Sequence, residues 1–514
     1  MPSRLPRTPL AWALALALGA CSSVPERPAP DVPESWFHAV RQQPANAEAL
    51  ADWWQRFDDP VLTRLVRQAL ENNRDIRLAM LRVDTARAQL RQARAGLFPT
   101  FALPGSASRQ WIENNNEQNP NSPIGQFIPD EDVITFDNWE LALQASWELD
   151  IFGATRARTD SARQQIRSAQ AQAIAARLAV ASNMAQGYMQ LRALEGQRAL
   201  LVEGIELAKG LEHIARRLFE AGEVTRLDVE ASAAERASLQ ADLDELEINL
   251  AEARLALDTL LAEPPGSIAR RLRADAKVPL ADKPIPPGQP LDLLRRRPDL
   301  IAEAAQLQAA QLQSLAARRD LFPTLALQAA VGRSGLALGS AFSTASNFAR
   351  LGATFGLPFL DYRRRGAAID LADVEGESAY LGFQQALAEA LEEVERSLVR
   401  IDGQKRRLDS LRTTLRHREY AYELAQTSYR LGAANLNEVL DAQRGSLQAR
   451  QQALQGRTAL ATAQVALFVA LGGGWEMEPN AVSDRDADGD GDGDRNDART
   501  SPPVNAPKQG RTAD

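Results

Sequence analysis

Sulfur, aromatic rings and long apolar runs are all scarce in this chain. Cys21 is the one cysteine among 514 residues, so no intramolecular disulfide can form. The three histidines, His38, His213 and His417, are isolated. No metal-ligand spacing and no nucleophile–base set accompanies them. That argues against an enzyme and against a resident metal or cofactor, and reads the histidines as solvated or packing residues. Aromatics make up 6 % of the chain, which suits helices rich in Ala, Leu, Gln and Arg. Beyond the first twenty residues no apolar run is long enough for a transmembrane helix. A net charge of −8 gives no reason to expect nucleic acid.

What the chain does contain is heptads. Leu387, Val394, Ile401, Leu408 and Leu415 recur every seven residues, with Leu391 and Leu398 between them. This is a coiled-coil seam. Proline is absent from Arg364 to Tyr429, so one helix is predicted there, roughly 100 Å long at 1.5 Å per residue. It breaks at Leu431-Gly432-Ala433, a glycine-led cap. A second helix returns through Leu440, Leu447 and Leu454. Such lengths exceed a compact domain. They fit either a coiled-coil rod or the wall of something long and hollow.

The chain begins as an exported one. Arg4 and Arg7 precede the apolar stretch Leu10–Leu18, and Leu18-Gly19-Ala20-Cys21 places small residues before the cysteine. This is a secretory signal whose end resembles a bacterial lipobox, which implies a lipidated Cys21. Ser22 and Ser23 follow with no Asp at the second mature position, which by the same analogy favours the outer membrane. More than one acyl chain makes such anchoring stable. The proline-rich residues that follow read as a tether.

The same pattern is written twice. Leu97-Phe98-Pro99-Thr100 returns as Leu321-Phe322-Pro323-Thr324, and Arg74-Asp75-Ile76 as Pro298-Asp299-Leu300, both at an offset of 224. Phe219-x-x-Gly222 returns as Tyr429-x-x-Gly432. A duplication is expected. Each copy predicts a helix (Pro60–Ala95 or Pro290–Arg319), ended by the Phe-Pro pair. An extended hairpin follows. Then come a long helix (Thr155–Phe219 or Arg364–Tyr429) and a shorter returning one (Thr225–Leu261 or Leu436–Leu471). In the second copy the first helix and the returning one, stacked end to end, match the length of the long one. Residues 1–20 are thus a signal, 21–45 a lipid-anchored tether, 46–262 the first repeat and 263–290 a connector. Residues 291–478 are the second repeat and 479–514 an acidic tail.

The extended segments alternate. Trp139, Leu141, Leu143, Ala145, Trp147 and Leu149 face one way; Glu140, Gln144, Ser146 and Glu148 face the other. Leu325, Leu327, Ala329 and Val331 repeat the pattern, as do Ala349, Leu351, Ala353 and Phe355. Period two over about ten residues fits a transmembrane β-strand with lipid on one side and water on the other. Four strands are too few, since a closed barrel needs at least eight and an open edge in lipid leaves backbone groups unsatisfied. Two or more chains must contribute; three give twelve strands. The loops Gln110–Asp137 and Gly335–Asn347 are expected to face outward.

Together these features resemble the TolC-type outer-membrane factor family, in its lipoprotein subgroup serving RND-type multidrug efflux, over about residues 18–478. The specific matches are Trp53-Trp54-x-x-Phe57-x-Asp59-Pro60, Arg296-Arg297-Pro298-Asp299-Leu300, both Leu-Phe-Pro-Thr motifs, Asn437-Glu438-Val439-Leu440-Asp441-Ala442-Gln443 and Leu471-Gly472-Gly473-Gly474-Trp475. The resemblance implies a homotrimer with a twelve-stranded β-barrel continued by an α-helical periplasmic tunnel. It implies passive export, coupled through a periplasmic adaptor to an RND-type inner-membrane pump. It puts the turns at Gly222 and Gly432 at the tunnel's far end and implies a gate of Glu438, Asp441, Tyr429 and Asp228. Ala434 departs from the pattern where some members carry a gate-locking Arg. An outer channel for protein secretion is the alternative within transport, and a coiled-coil structural lipoprotein the alternative outside it. The acidic run Asp486–Asp497 has calcium-loop spacing but no flanking helical pattern, and reads as a disordered tail.

Overall fold

The computed structural model describes residues 31–38, 50–113, 133–272, 277–338 and 342–475, all within one unit that ends at Trp475. Cys21, the Asn114–Asn116 run and the acidic tail lie outside the described residues. The fold is mainly helical. In chain order the elements are α1 (Pro60–Asn72), α2 (Arg74–Ala95), β1 (Thr100–Ala102), β2 (Gly105–Glu113), β3 (Val133–Leu149), α3 (Ala154–Glu220) and α4 (Arg226–Leu260). Then follow α5 (Pro298–Arg319), β4 (Thr324–Leu338), β5 (Phe342–Gly356), α6 (Tyr362–Arg430) and α7 (Leu436–Ala470). The order helix, hairpin, long helix, returning helix therefore occurs twice. The long helices α3 and α6 run for 67 and 69 residues, each about 100 Å.

Two helices expected to be continuous are broken. Pro60–Ala95 divides at Asn73, whose backbone turns extended (φ −61°, ψ 136°). Its side chain accepts from the N–H groups of Asp75 and Ile76, capping α2, as asparagine does at a helix start. Pro290–Arg319 divides at Arg297, because Pro298 forces the residue before it out of the helical region. The breaks do equivalent work. Asn73 donates to the carbonyl of Leu260, the last residue of α4 (2.9 Å). Arg297 donates to that of Ala470, the last of α7 (3.0 Å). Each break therefore satisfies a carbonyl that the returning helix leaves without a partner, and α4 and α7 end where α2 and α5 begin.

The motifs explain themselves at this same level. Trp53 stacks on Phe468 at 5.4 Å, and Asp59 caps α1. A Cβ at Gly472 would come within 2.6 Å of the Arg296 carbonyl, and one at Gly473 within 2.9 Å of that of Leu50. Gly472 and Gly473 thus let these backbones touch where any side chain would push them apart. The connector Pro264–Pro290 contains a helical turn, Ser267–Arg271, and an extended run that Gln464 holds from both sides. Its amide accepts from the Ala281 N–H and donates to the Ala281 carbonyl. Residues 31–38 lie on the same region. Trp36 is buried and donates to the Gly288 carbonyl. His38, expected to be solvated or merely packed, binds Glu395 through Nδ1 at 2.8 Å.

One cap is imperfect. Both α4 and α7 end in a Schellman pair of hydrogen bonds, Glu263 N–H to Asp258 and Gly473 N–H to Phe468. The left-handed residue is Gly472 in one copy but Ala262 (φ 56°) in the other. Ala262→Gly is expected to stabilise the chain by about 1 kcal/mol, read as a higher denaturation midpoint with an unchanged slope.

Candidate functional site: sheet and helical tips

The sheet orders as β1 and β2, then β3, β4 and β5, all antiparallel. β1 and β2 both pair with β3 and are one strand interrupted at Leu103-Pro104, so the described residues form four strands. The hairpins extend further than expected. Much of what the sequence assigned to loops at Gln110–Asp137 and Gly335–Asn347 is ladder. A bidentate Arg109–Asp137 pair (2.5 and 2.7 Å) ties β2 to β3 there. Among the described residues, the outer edges of β2 and β5 have no partner strand.

Register sorts the faces. Leu149, Leu325 and Phe355 form one row; Trp147, Leu327 and Ala353 the next; Phe101, Ala145, Ala329 and Leu351 the third; Leu143, Val331 and Ala349 the fourth. These side chains are largely exposed, Leu351 to 87 %. The reverse face carries Glu140, Gln144, Ser146, Glu148, Gln328 and Arg350. An apolar, solvent-exposed sheet face with polar residues behind it can stand in lipid. At the helical end Trp147 donates to the Leu97 carbonyl (3.0 Å). Phe152 stacks on Phe322 at 4.7 Å, joining the sheet to both Phe-Pro turns. None of the described helices is long and apolar enough to cross a membrane.

At the opposite ends of the long helices are two matching turns. α3 closes with Glu223 N–H on the Leu218 carbonyl, and α6 with Ala433 N–H on Ser428. Gly222 (φ 77°) and Gly432 (φ 74°) supply the left-handed residue in each, as the Schellman geometry requires. The three predicted acids and the phenol stand as follows. Asp228 accepts from the Thr225 N–H (2.9 Å) and hydroxyl (2.7 Å), boxing the start of α4. It also accepts from Asn437 of the other turn (3.3 Å). The bond from the Thr225 side chain, then that from its backbone, holds the Asp228 carboxyl below its ordinary range. Glu438 is the matching residue of α7. Its N–H donates to the Asn435 side chain, whose amide donates back to its carboxylate (both 2.9 Å). Asp441 lies one turn further on the same exposed face, its side chain 77 % exposed.

Tyr429 packs with Leu211, Ala215, Val229, Leu436 and Leu440. Burial, and then the nearby carboxylates of Asp228 and Glu223, push its phenol up. The Tyr429 hydroxyl is buried with no hydrogen-bond partner among the described residues, so it does not bond Asp228.

Sequence reasoning missed Arg444 and Glu235. Arg444 reaches across from α7 to Glu235 of α4 (2.7 Å), and its other nitrogen lies 3.4 Å from Asp441. Together with Asn437–Asp228 it ties one tip to the other. Arg444 follows directly on the Asp441-Ala442-Gln443 motif, but its partner is 209 residues away and no periodicity reveals it. A second charged link, Glu212 of α3 between Arg216 and Arg236, braces the first tip. Arg236, then Arg216, hold the Glu212 carboxyl below its ordinary range. A lowered folded pKa means the link is intact above the ordinary carboxyl range, about pH 4.3. It is lost as pH falls through the folded value. The protection factors of the α3–α4 tip amides, with the intrinsic pH dependence of exchange divided out, are therefore expected to be flat from neutral pH to about 5, then to fall roughly tenfold in acid. Glu212→Gln should remove that step.

A family model described as "Outer membrane efflux protein" matches residues 65–263 and 290–473. Outer membrane protein OprJ of Pseudomonas aeruginosa is 32 % identical over 477 residues, 90 % of this chain and 95 % of OprJ. Pyoverdine export outer membrane protein OpmQ of the same species is 30 % identical over 478 residues, 92 % of this chain and 98 % of OpmQ. Among solved structures, the outer-membrane channel OprN aligns with a TM-score of 0.76 at 27 % identity, over 89 % of this chain and 100 % of OprN.

Proposed function

Because the chain belongs to the outer membrane efflux protein family, and so acts as the outer-membrane channel of an efflux system, we propose that it does this as a homotrimeric, gated export duct. The incomplete sheet carries this reading. Four strands with two free edges and one exposed apolar face are unstable alone in lipid. Three copies supply twelve strands and close the barrel. The polar face with Glu140, Glu148 and Arg350 then lines water, and α2–α4 and α5–α7 of each copy form the wall of a periplasmic tunnel. A duplication of residues 46–262 and 291–478 about the connector 263–290 accounts for the paired breaks at Asn73 and Arg297. A lipidated Cys21 tethers the chain through residues 21–45, with Trp36 as the docking point.

The duct has no chemistry of its own. Energy and substrate choice belong to an RND-type inner-membrane pump, met through a periplasmic adaptor; drugs or other small molecules are the cargo. Glu438 and Asp441, tripled by symmetry, form carboxylate rings at the tip that favour cations. Asp228 and Tyr429 act as packing and capping parts of that gate. Purified full-length protein should migrate as a trimer and give discrete conductance steps in planar bilayers, and a deletion strain should become drug-sensitive. A stable monomer that leaves liposomes impermeable would overturn the trimer. Conductance without any change in drug sensitivity would point to secretion instead.

A further inference from the structure

Arg333 stands where the apolar face of the sheet should exclude it. Its row is Gly105, Leu141, Arg333 and Asn347. The row toward the helices is Leu143, Val331 and Ala349; the row toward the loops is Ala107, Trp139, Gly335 and Ala345. None of these residues is acidic. Asp137, further toward the loops, is taken by Arg109. Arg333 is exposed, as is Asn347 beside it. An arginine does not lose its charge, and a charge on a lipid-facing position is unfavourable unless it reaches the interface or a partner.

Both are within reach. Tryptophan marks the membrane interface, and Trp139 lies one row nearer the loops, about 7 Å along the strand. Its indole lies flat on Gly335: a Cβ there would fall 2.3 Å from the indole Nε1. Gly335 therefore lets that indole lie across β4 two residues from Arg333, one row away on the same face. A guanidinium that extends toward the loops arrives at headgroup level with an amide and an indole N–H beside it. The helices fill the periplasmic side, so this is the outer leaflet. Three donor groups with no acid between them suit phosphate oxygens, which guanidinium binds in bidentate fashion.

We propose that Arg333, Asn347 and Trp139 form a binding site for a phosphate of the phosphorylated glycolipid, lipid A, in the outer leaflet, once per protomer. The proposal rests on the reading that the apolar face meets lipid. The test uses the full-length trimer in phosphatidylcholine nanodiscs doped with bisphosphorylated lipid A, with retained glycolipid counted by native mass spectrometry. Wild type should retain it, and R333Q should lose retention roughly tenfold or more. N347A should fall between them, and R109Q should match wild type. Dephosphorylated lipid A should not be retained by any of them. Equal retention by R333Q and wild type would overturn the site. So would equal retention of the dephosphorylated lipid, or displacement by an equal amount of phosphatidylglycerol. Conductance of R333Q separates the two readings. Normal conductance with lost lipid A supports the site, whereas a wild type that never conducts defeats the barrel itself.

Discussion

Replacing Glu195 by leucine is expected to destabilise the chain by about 3–5 kcal/mol, a factor of about a hundred or more in the folded ratio. Glu195 and Arg192 are paired inside α3 at 2.8 Å, with side chains only 2 % and 5 % exposed. Arg192 continues to the Tyr188 hydroxyl (2.9 Å), and Tyr188 donates to Asp59 (2.8 Å). Burial, first of all, pushes the Tyr188 phenol up, so it stays a neutral donor. Glu195→Leu leaves a buried guanidinium that cannot shed its proton. Replacing the pair, as in Arg192→Met with Glu195→Leu, removes both charges and should recover most of the loss, because a buried ion pair contributes little net stability over apolar packing. Tyr188→Phe tests the far end of the network. It strips one bond from Asp59, whose other oxygen still caps α1, and takes the hydroxyl acceptor from the Arg192 Nε–H, so it should cost about 2 kcal/mol, less than Glu195→Leu. Denaturant midpoints of the three variants check the order. If the single Glu195 change proved as mild as the double one, the Arg192 charge would be satisfied without Glu195, and the pair would not be the key link of the network.

That network lay partly in plain view. Asp59 belongs to the Trp53–Pro60 motif, and its place before Pro60 marks a helix start. Tyr188, Arg192 and Glu195 sit at helical spacing, but so do many residues of a 67-residue helix, and nothing local separates buried ones from solvated ones. The heptads, the repeat offsets and the alternating strands were legible because each is a periodicity. The helix breaks were half legible. Pro298 announces one, but Asn73 had no proline to mark it, and the carbonyl to which its amide donates, that of Leu260, lies far along the chain. The loops read too long because their polar middles were extended to their ends, where Trp111, Ile112, Val133, Phe136, Leu336 and Leu338 continue the ladder among polar neighbours. At the tips, Gly222 and Gly432 were fixed by backbone geometry alone. Glu438 and Asp228 were found as acids, but their bonds to Asn435 and Thr225 give each a capping duty that charge alone does not reveal.

The second large effect is expected at those tips, from Arg444→Ser. Arg444 has a side chain 51 % exposed, and Glu235, its partner across the two hairpins, 13 %. At that exposure one pair contributes only about 0.5–1 kcal/mol. In the proposed trimer the three copies move together, so their sum, about 1.5–3 kcal/mol, shifts a closed–open balance roughly ten- to hundredfold. Of the polar links described between the α7 tip and α4, Asn437–Asp228 at 3.3 Å then remains, beside the apolar packing around Tyr429, and single-channel recordings should show long, several-fold larger openings. Asp441→Asn acts differently. It takes away only the longer 3.4 Å contact with Arg444, leaves Glu235 in place, and removes one ring of charge. Opening should change little while the reversal potential in a KCl gradient moves toward zero. Glu438→Gln should behave likewise, since glutamine still accepts from Asn435. Two residues three positions apart thus separate the latch from the filter. Should Arg444→Ser alter selectivity without altering conductance, or Asp441→Asn the reverse, the division of labour drawn from Glu235 would be wrong.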